Sequence, residues 1–265
     1  MSLIDSHCHL KTFVQKNTLG SVLARAKIAG VEKFITVGTN NEDWDCYQSL
    51  ARNNPDIYYS VGLHPCYVDK SWTKMVESIS DYWQPHDKPI ALGEIGLDFY
   101  HLPKNKSLAQ EVIVSQKECF ETQLQVAKRL ECPVIIHSRD SFSQCIKLID
   151  KSGVNWQNVI FHCFSEGGDE AKQILQRGGN MSFTGNITYK SNLQTETVLK
   201  LIGLDGIIIE TDSPYLSPEP FRKEKNEPQK LLEIVKFISK CLKVEREDLE
   251  KASYFNTIEF FKFEN

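Results

Sequence analysis

Six side chains, His7, His9, Glu94, His137, His162 and Asp212, carry the chemistry that is legible in the sequence. Each stands at or just past the end of a short β-branched run, and imidazole with carboxylate is a donor set suited to Mg, Mn or Zn. In Asp5-Ser6-His7-Cys8-His9 one residue separates the two histidines, so an extended backbone points both rings to one side and Cys8 to the other. A lone His-x-His is a weak signal, met as readily by a structural pair. The ensemble is stronger, because unpaired carboxylates are costly to hold inside an enclosed mouth. Six donors exceed the four of a tetrahedral zinc site, whereas two divalent ions sharing a bridging carboxylate and a bridging water use them all. Such a pair supplies hydroxide near neutral pH and clamps the attacking and leaving oxygens of a displacement at phosphorus. Hydrolysis is the expected chemistry, with two divalent ions as cofactors and no cysteine among the donors.

Converging donors need a frame in which several chain segments end at one place. The chain supplies eight apolar, β-branched runs: Leu3–Ser6, Lys33–Val37, Ile57–Val61, Ile90–Glu94, Val134–His137, Val159–His162, Asn180–Phe183 and Gly206–Glu210. Amphipathic stretches separate them, the pattern of parallel βα units. Helical periodicity covers Ser21–Ala29, Asn41–Ala51, Ser107–Leu130, Ser141–Lys151, Asp169–Arg177 and Leu193–Leu201, with Gly30, Gly153 and Gly178 placed as stops, and the tail adds Pro228–Leu242 and Arg246–Phe261. Eight such units predict a closed (β/α)8 barrel of the TIM type, whose function is built at the C-terminal strand ends. An open doubly wound sheet is the competitor. No Gly-x-Gly-x-x-Gly follows the first run and no P-loop occurs, which counts against that sheet and against a nucleotide cofactor. Of the seven histidines, His7, His9, His64, His137 and His162 fall at run ends, while His86 and His101 do not.

The composition agrees with one barrel. The chain has 265 residues, 41% hydrophobic and 25% charged, and a barrel of ~250 residues takes up nearly all of it as a single domain over 1–265. No run approaches the ~18 apolar residues of a membrane span, and the opening MSLIDSHCHL lacks the basic and apolar regions of a secretory signal, so a cytoplasmic protein is expected. The eight cysteines then read as reduced, mostly buried thiols, with no Cys-x-x-Cys pair. A net charge of −4 argues against a broad basic face for long nucleic acid.

Six segments, in order, carry a family resemblance: Asp5-Ser-His-Cys-His-Leu10, Gly62-Leu-His-Pro65, Gly93-Glu-Ile-Gly-Leu-Asp98, Ile136-His-Ser-Arg-Asp140, His162-Cys-Phe-Ser165 and Glu210-Thr-Asp-Ser-Pro-Tyr-Leu216. They resemble the TatD-type metal-dependent deoxyribonucleases of the amidohydrolase-like superfamily, from residue 3 to about residue 262. The resemblance implies a TIM barrel with one metal on His7, His9, Glu94 and Asp212 and a second on Glu94, His137 and His162. Glu94 then becomes the bridge, where related amidohydrolases often use a carboxylated lysine. Two positions depart from the family pattern. Lys11 stands where Asp usually follows His-Cys-His-Leu, and His101 lies in the loop after Asp98 where an arginine is common; both bear on substrate contact rather than on the metals.

Around that core, Arg139 lies two residues past His137 and is a candidate to grip phosphate, the alternative being an ion pair with Asp140 or Glu210. His64 is a candidate substrate contact. Asp5 and Glu210 are candidates to hydrogen-bond the ligand imidazoles, or Arg139, from behind. Lys104, Lys106, Arg222, Lys223 and Lys225 fall on loops after the fourth and eighth runs, and Phe99, Tyr100, Phe164, Tyr215 and Phe221 on loops at the same end, where they could stack bases. The expectation is a divalent-metal-dependent hydrolase of DNA phosphodiesters acting on single-stranded ends, with Asp212 accepting the proton of the attacking water. The resemblance implies removal of nucleotides from a 3′ end. An amide or ester hydrolase of a small molecule is the main alternative, since the same cradle activates water against carbonyl carbon, and a scaffold without catalysis is a second.

Overall fold

Alternation over the eight runs produces eight parallel strands in the computed structural model, which describes residues 2–84 and 86–263. They are Leu3–Cys8 (β1), Val31–Thr36 (β2), Ile57–Val61 (β3), Ala91–Asp98 (β4), Val134–Arg139 (β5), Val159–Phe161 (β6), Asn180–Phe183 (β7) and Ile207–Ile209 (β8). Each pairs in parallel with its sequence neighbours. The ring is drawn shut beyond the paired strands: the Asp212 amide donates to the His7 carbonyl at 2.8 Å and the His9 amide to the Ser213 carbonyl at 2.7 Å. The architecture is therefore the (β/α)8 TIM barrel.

Among the described residues ten α-helices surround it: Lys11–Gln15 (α1), Leu19–Ile28 (α2), Asn41–Asn53 (α3), Trp72–Ser78 (α4), Lys106–Leu130 (α5), Phe142–Ser152 (α6), Gly168–Arg177 (α7), Thr195–Ile202 (α8), Leu231–Leu242 (α9) and Arg246–Phe261 (α10). Eight answer to the periodic stretches in the sequence. The short α1 and α4 were not anticipated, since five and seven residues are too few to display a helical period. Gly153 and Gly178 end α6 and α7 with φ of +71° and +84°, as their placement predicts. Among the described residues no helix is long and apolar enough to cross a membrane.

Period two also sets the floor of the barrel mouth. Ile135, Ile160 and Ile208 lie two residues before His137, His162 and Glu210, so each shares a face with the polar residue above it. These isoleucines are buried in one apolar cluster with Ile4, Ile35 and with Phe260 and Phe261 of α10. A dry layer thus lies directly beneath the polar one.

One strand differs from expectation in a way that matters. The fourth run was expected to end at Glu94, but β4 continues four residues to Asp98. Gly96 permits this: its φ is +145°, and a Cβ there would lie 2.0 Å from the His137 carbonyl oxygen. Lower down, a Cβ on Gly62 would lie 2.6 Å from the Gly93 carbonyl carbon. Backbone approaches this close are open only to glycine.

Gly96→Ala is expected to lower stability by roughly 2 kcal/mol or more, seen as a fall in melting temperature of about 4–8 °C. Gly20→Ala in α2, where a new Cβ meets nothing within 4 Å, is the control and should be neutral or stabilising by up to ~1 kcal/mol. Equal melts for the two variants would remove the close-approach argument.

Candidate metal centre

Three hydrogen bonds decide which ring nitrogens face inward. His9 Nδ1 lies 3.0 Å from the Val37 carbonyl and so carries the proton, leaving Nε2 as the free lone pair. Glu210 Oε1 lies 3.3 Å from His162 Nδ1 and likewise frees its Nε2. His137 is turned the other way, with Nε2 held 3.1 Å from Asp98 Oδ2 and Nδ1 pointing into the mouth. Carboxylates and carbonyls behind imidazoles are the usual means of setting ligand tautomers.

The nitrogens so freed converge on two carboxylates. His9 Nε2 lies 3.2 Å and His7 Nε2 3.7 Å from Asp212 Oδ1, and the two imidazole nitrogens are 3.3 Å apart. Glu94 lies between this group and the other: Oε2 is 3.5 Å from His7 Nε2, while Oε1 is 2.7 Å from both His137 Nδ1 and His162 Nε2. The His7 and His162 rings stack, with centroids 4.1 Å apart. Sets of these donor atoms lie within 4.8 Å of one another, close enough for a cation to be held between them. Cys8 is turned outward as alternation requires, its thiol directed at the Ile35 carbonyl.

Charge and burial oppose each other here. Burial pushes the Glu94 carboxyl up, but the His162 and His64 imidazoles and hydrogen bonds from His137 and His162 outweigh it and hold it well below the usual range. Burial depresses the basicity of His9, His137 and His162, and their carboxylate partners reverse it: Asp212 for His9, Asp98 and Glu94 for His137, Glu94 and Glu210 for His162. For His7 and His64, burial and the neighbouring imidazoles His162 and His137 win, so both are lowered. A divalent cation competes with these protons for the same lone pairs, which is what a metal site requires.

The frame that aims the donors is itself polar and buried. The Glu94 amide donates to the Gly38 carbonyl at 2.9 Å, and Ser60 Oγ donates to the Gly93 carbonyl at 2.6 Å. Two glutamines of α5 hold the neighbouring loops. Gln123 pairs with both the amide and the carbonyl of Leu63 at 2.8 and 3.0 Å, and Gln116 accepts from the Asp98 amide at 3.0 Å. Asp5 bonds to Thr211, accepting from its amide at 2.8 Å and its hydroxyl at 2.5 Å. Those bonds tie β1 to the segment carrying Asp212, and of the His7 groups Asp5 meets the backbone amide rather than the ring. Burial nevertheless pushes the Asp5 carboxyl up to about 7. Glu210 accepts from Ser182 Oγ at 2.6 Å and the Cys163 amide at 2.7 Å, so it backs His162 and not Arg139.

His64 lies past the end of β3, where it caps the turn Pro65–Tyr67 by accepting the Cys66 amide on Nδ1 at 3.0 Å. Its proton therefore sits on Nε2, 3.5 Å from Glu94 Oε1, and His64 enters the mouth as a donor. The Arg139 guanidinium lies over the Tyr100 ring, 4.0 Å from its centroid. Around the centre is a cavity of about 1080 Å³ whose charged lining includes Glu42, Asp43, Asp69, Glu94, Asp98 and Asp212, with Lys11 and Arg139 as the only Lys or Arg among the described residues. Lys104, Lys106, Arg222, Lys223 and Lys225 do not line it: Arg222 packs on Tyr189 and Lys225 on Phe13. Lys11 bridges Glu42 and Asp43 at 3.0 and 3.1 Å. Of the candidate aromatics, Tyr215 reaches the cavity, joined by Tyr67, whereas Phe164 is buried.

Asp98, Gln116 and Gln123 were not singled out from the sequence as site residues. Asp98 has a signal, since Glu94, Gly96 and Asp98 share one face of an extended run. The glutamines stand seven apart, on one face of α5, and only their burial marks them.

Residues 4–262 match the protein family described as TatD related DNase. The chain is 29% identical over 266 residues to the uncharacterized metal-dependent hydrolase YabD of Bacillus subtilis (strain 168), covering 98% of this chain and 99% of that one. Among solved structures, YjjV, a TatD homologue from Escherichia coli K12, superposes with a TM-score of 0.90 at 27% identity, covering 99% and 98% of the two chains. A TatD family hydrolase from Entamoeba histolytica shares the fold, with a TM-score of 0.83 at 21% identity over 98% of both chains.

Glu94→Ala is expected to lose at least one equivalent of bound divalent ion, measured by elemental analysis after desalting, whereas Cys8→Ser should keep the wild-type content. Retention of full metal by the Glu94 variant would show that its carboxylate does not lie between two ions. Metal binding should also release protons and weaken as pH falls, because His9, His137 and His162 hold protons more tightly than free imidazole. Calorimetry in buffers of different ionisation enthalpy reads that release directly.

Proposed function

The chain belongs to the TatD related DNase family, and from that premise we propose a metal-dependent hydrolase of DNA phosphodiesters that removes nucleotides from single-stranded 3′ ends, as one barrel domain in the cytoplasm. The carrying observation is Glu94, whose two oxygens face separate donor groups, Oε2 toward His7 and Oε1 toward His137 and His162. In this reading His7, His9, Glu94 and Asp212 hold one divalent ion and Glu94, His137 and His162 a second, with Mg, Mn or Zn suited to the donors. When bound, such ions lower the pKa of water and neutralise charge developing on phosphate oxygens.

The remaining roles fall to the protein. Asp212 Oδ1, already 3.2 Å from His9 Nε2, is positioned to accept the proton of the attacking water. His64, with its proton on Nε2, serves as a donor to a phosphate oxygen in this reading. Arg139, held over Tyr100, offers its guanidinium edge to the same or the adjacent phosphate. The acidic lining excludes a phosphodiester until cations neutralise it, which ties substrate entry to metal loading. Tyr67 and Tyr215, 52% and 61% exposed, stand at the mouth where terminal bases can stack. A concave mouth of this size takes a strand end more readily than a continuous duplex.

The test compares linear and circular single-stranded DNA of one sequence, in protein stripped by chelator and restored singly with Mg, Mn or Zn, alongside duplex DNA, RNA and p-nitrophenyl esters. Shortening of the linear strand from its 3′ end with the circle spared is expected. Equal degradation of the circle would overturn end-directed action, and hydrolysis of the esters alone would overturn the nuclease reading in favour of a small-molecule hydrolase. Arg139→Ala should lower DNA cleavage about 10- to 100-fold, the loss of a charge-assisted contact, with metal content and melting temperature unchanged. A matching loss of stability would assign Arg139 to the fold instead.

A further inference from the structure

At the rim of the cavity, Cys66, Asp98 and His101 bring a thiol, a carboxylate and an imidazole together. Cys66 belongs to the turn that His64 caps, and its Sγ lies 3.6 Å from Asp98 Oδ2 and 3.9 Å from His101 Nδ1. Asp98 Oδ2 and His101 Nδ1 are 2.8 Å apart. In a tetrahedral site with bonds of about 2.3 Å to sulfur and about 2.0 Å to nitrogen and oxygen, sulfur stands about 3.5 Å from the other donors, and nitrogen about 3.3 Å from oxygen. All three separations fall within about half an ångström of those values. The His101 side chain is 54% exposed, so a small rotation of its ring opens the shortest edge. Asp98 is oriented independently, its Oδ1 accepting the His101 amide at 2.9 Å.

The donor set differs in kind from that around Glu94, which contains no sulfur. Thiolate donors favour Zn over Mg or Mn, so the two places sort metals by softness. They are linked through one hydrogen bond, because Asp98 Oδ2 is also the acceptor for His137 Nε2. An ion on Asp98 withdraws electron density from the carboxylate that orients His137, and occupancy of the rim is thereby felt at the centre.

We propose that Cys66, Asp98 and His101 form a site for one thiophilic divalent cation of the zinc class, open to solvent for a fourth ligand and separate from the centre around Glu94. It stands whether or not DNA is the substrate. The test is titration of chelator-stripped protein with Co2+, whose thiolate complexes show a near-ultraviolet charge-transfer absorption that histidine and carboxylate complexes lack. Ions taken up around Glu94 contribute nothing to that signal. The absorption is expected to saturate at one equivalent, to be displaced by Zn2+, to vanish in Cys66→Ser and to need at least about tenfold more Co2+ in His101→Ala. Both side chains are exposed, and thermal melts of the variants verify that they fold. No absorption in the wild type, its survival in Cys66→Ser, or unchanged Co2+ affinity in His101→Ala would each overturn the proposal.

Discussion

A buried carboxylate, Glu94, is the constraint on which the barrel mouth depends. It is 3% exposed, and an ionised carboxylate so placed is strongly unfavourable unless positive charge and hydrogen bonds surround it. Imidazoles from β1, β5 and the segment after β6, with His64 after β3, supply that surround at 2.7–3.5 Å. A half-satisfied version would be worse than an apolar core. The imidazoles, their backing carboxylates and the backbone that aims them therefore form one interdependent unit.

Holding that unit requires strands that approach more closely than side chains normally allow. Gly62, Gly93 and Gly96 remove the Cβ atoms that would otherwise separate β3, β4 and β5. The backbone groups freed by the loops are taken up by buried side chains, Gln116 and Gln123 from α5 and Asp5 from β1. Asp212 adopts φ of +54°, a left-handed conformation uncommon for a residue other than glycine, and its backbone N–H donates to the His7 carbonyl at 2.8 Å.

The lining of the mouth sets what may enter. Glu42, Asp43, Asp69, Glu94, Asp98 and Asp212 face Lys11, Arg139 and five imidazoles around the cavity, so the charge met by an entering molecule depends on how many cations those donors hold. Lys11 is spent on Glu42 and Asp43. His101 turns toward Asp98, its Nδ1 2.8 Å from Oδ2.

Local periodicity determined the barrel, because β runs of period two and helices of period 3.6 repeat eight times and each unit displays its pattern within a few residues. It also determined which faces His7, His9 and Cys8 take, since alternation is a property of the extended backbone itself. The short helices α1 and α4, the continuation of β4 to Asp98, and the buried glutamines of α5 were decided elsewhere. The last two depend on what a distant segment presents, the His137 carbonyl beside Gly96 and the Leu63 and Asp98 backbones beside α5, while α1 and α4 are too short to display a helical period. The choice of nitrogen on His137 and His162 is likewise tertiary, set by Asp98 and Glu210, whereas that on His64 is local, set by the Cys66 amide two residues on. A sequence names the donors and their order along the strands, but a proton's position on a ring depends on the partner across space, and only the closed barrel brings that partner within hydrogen-bonding distance.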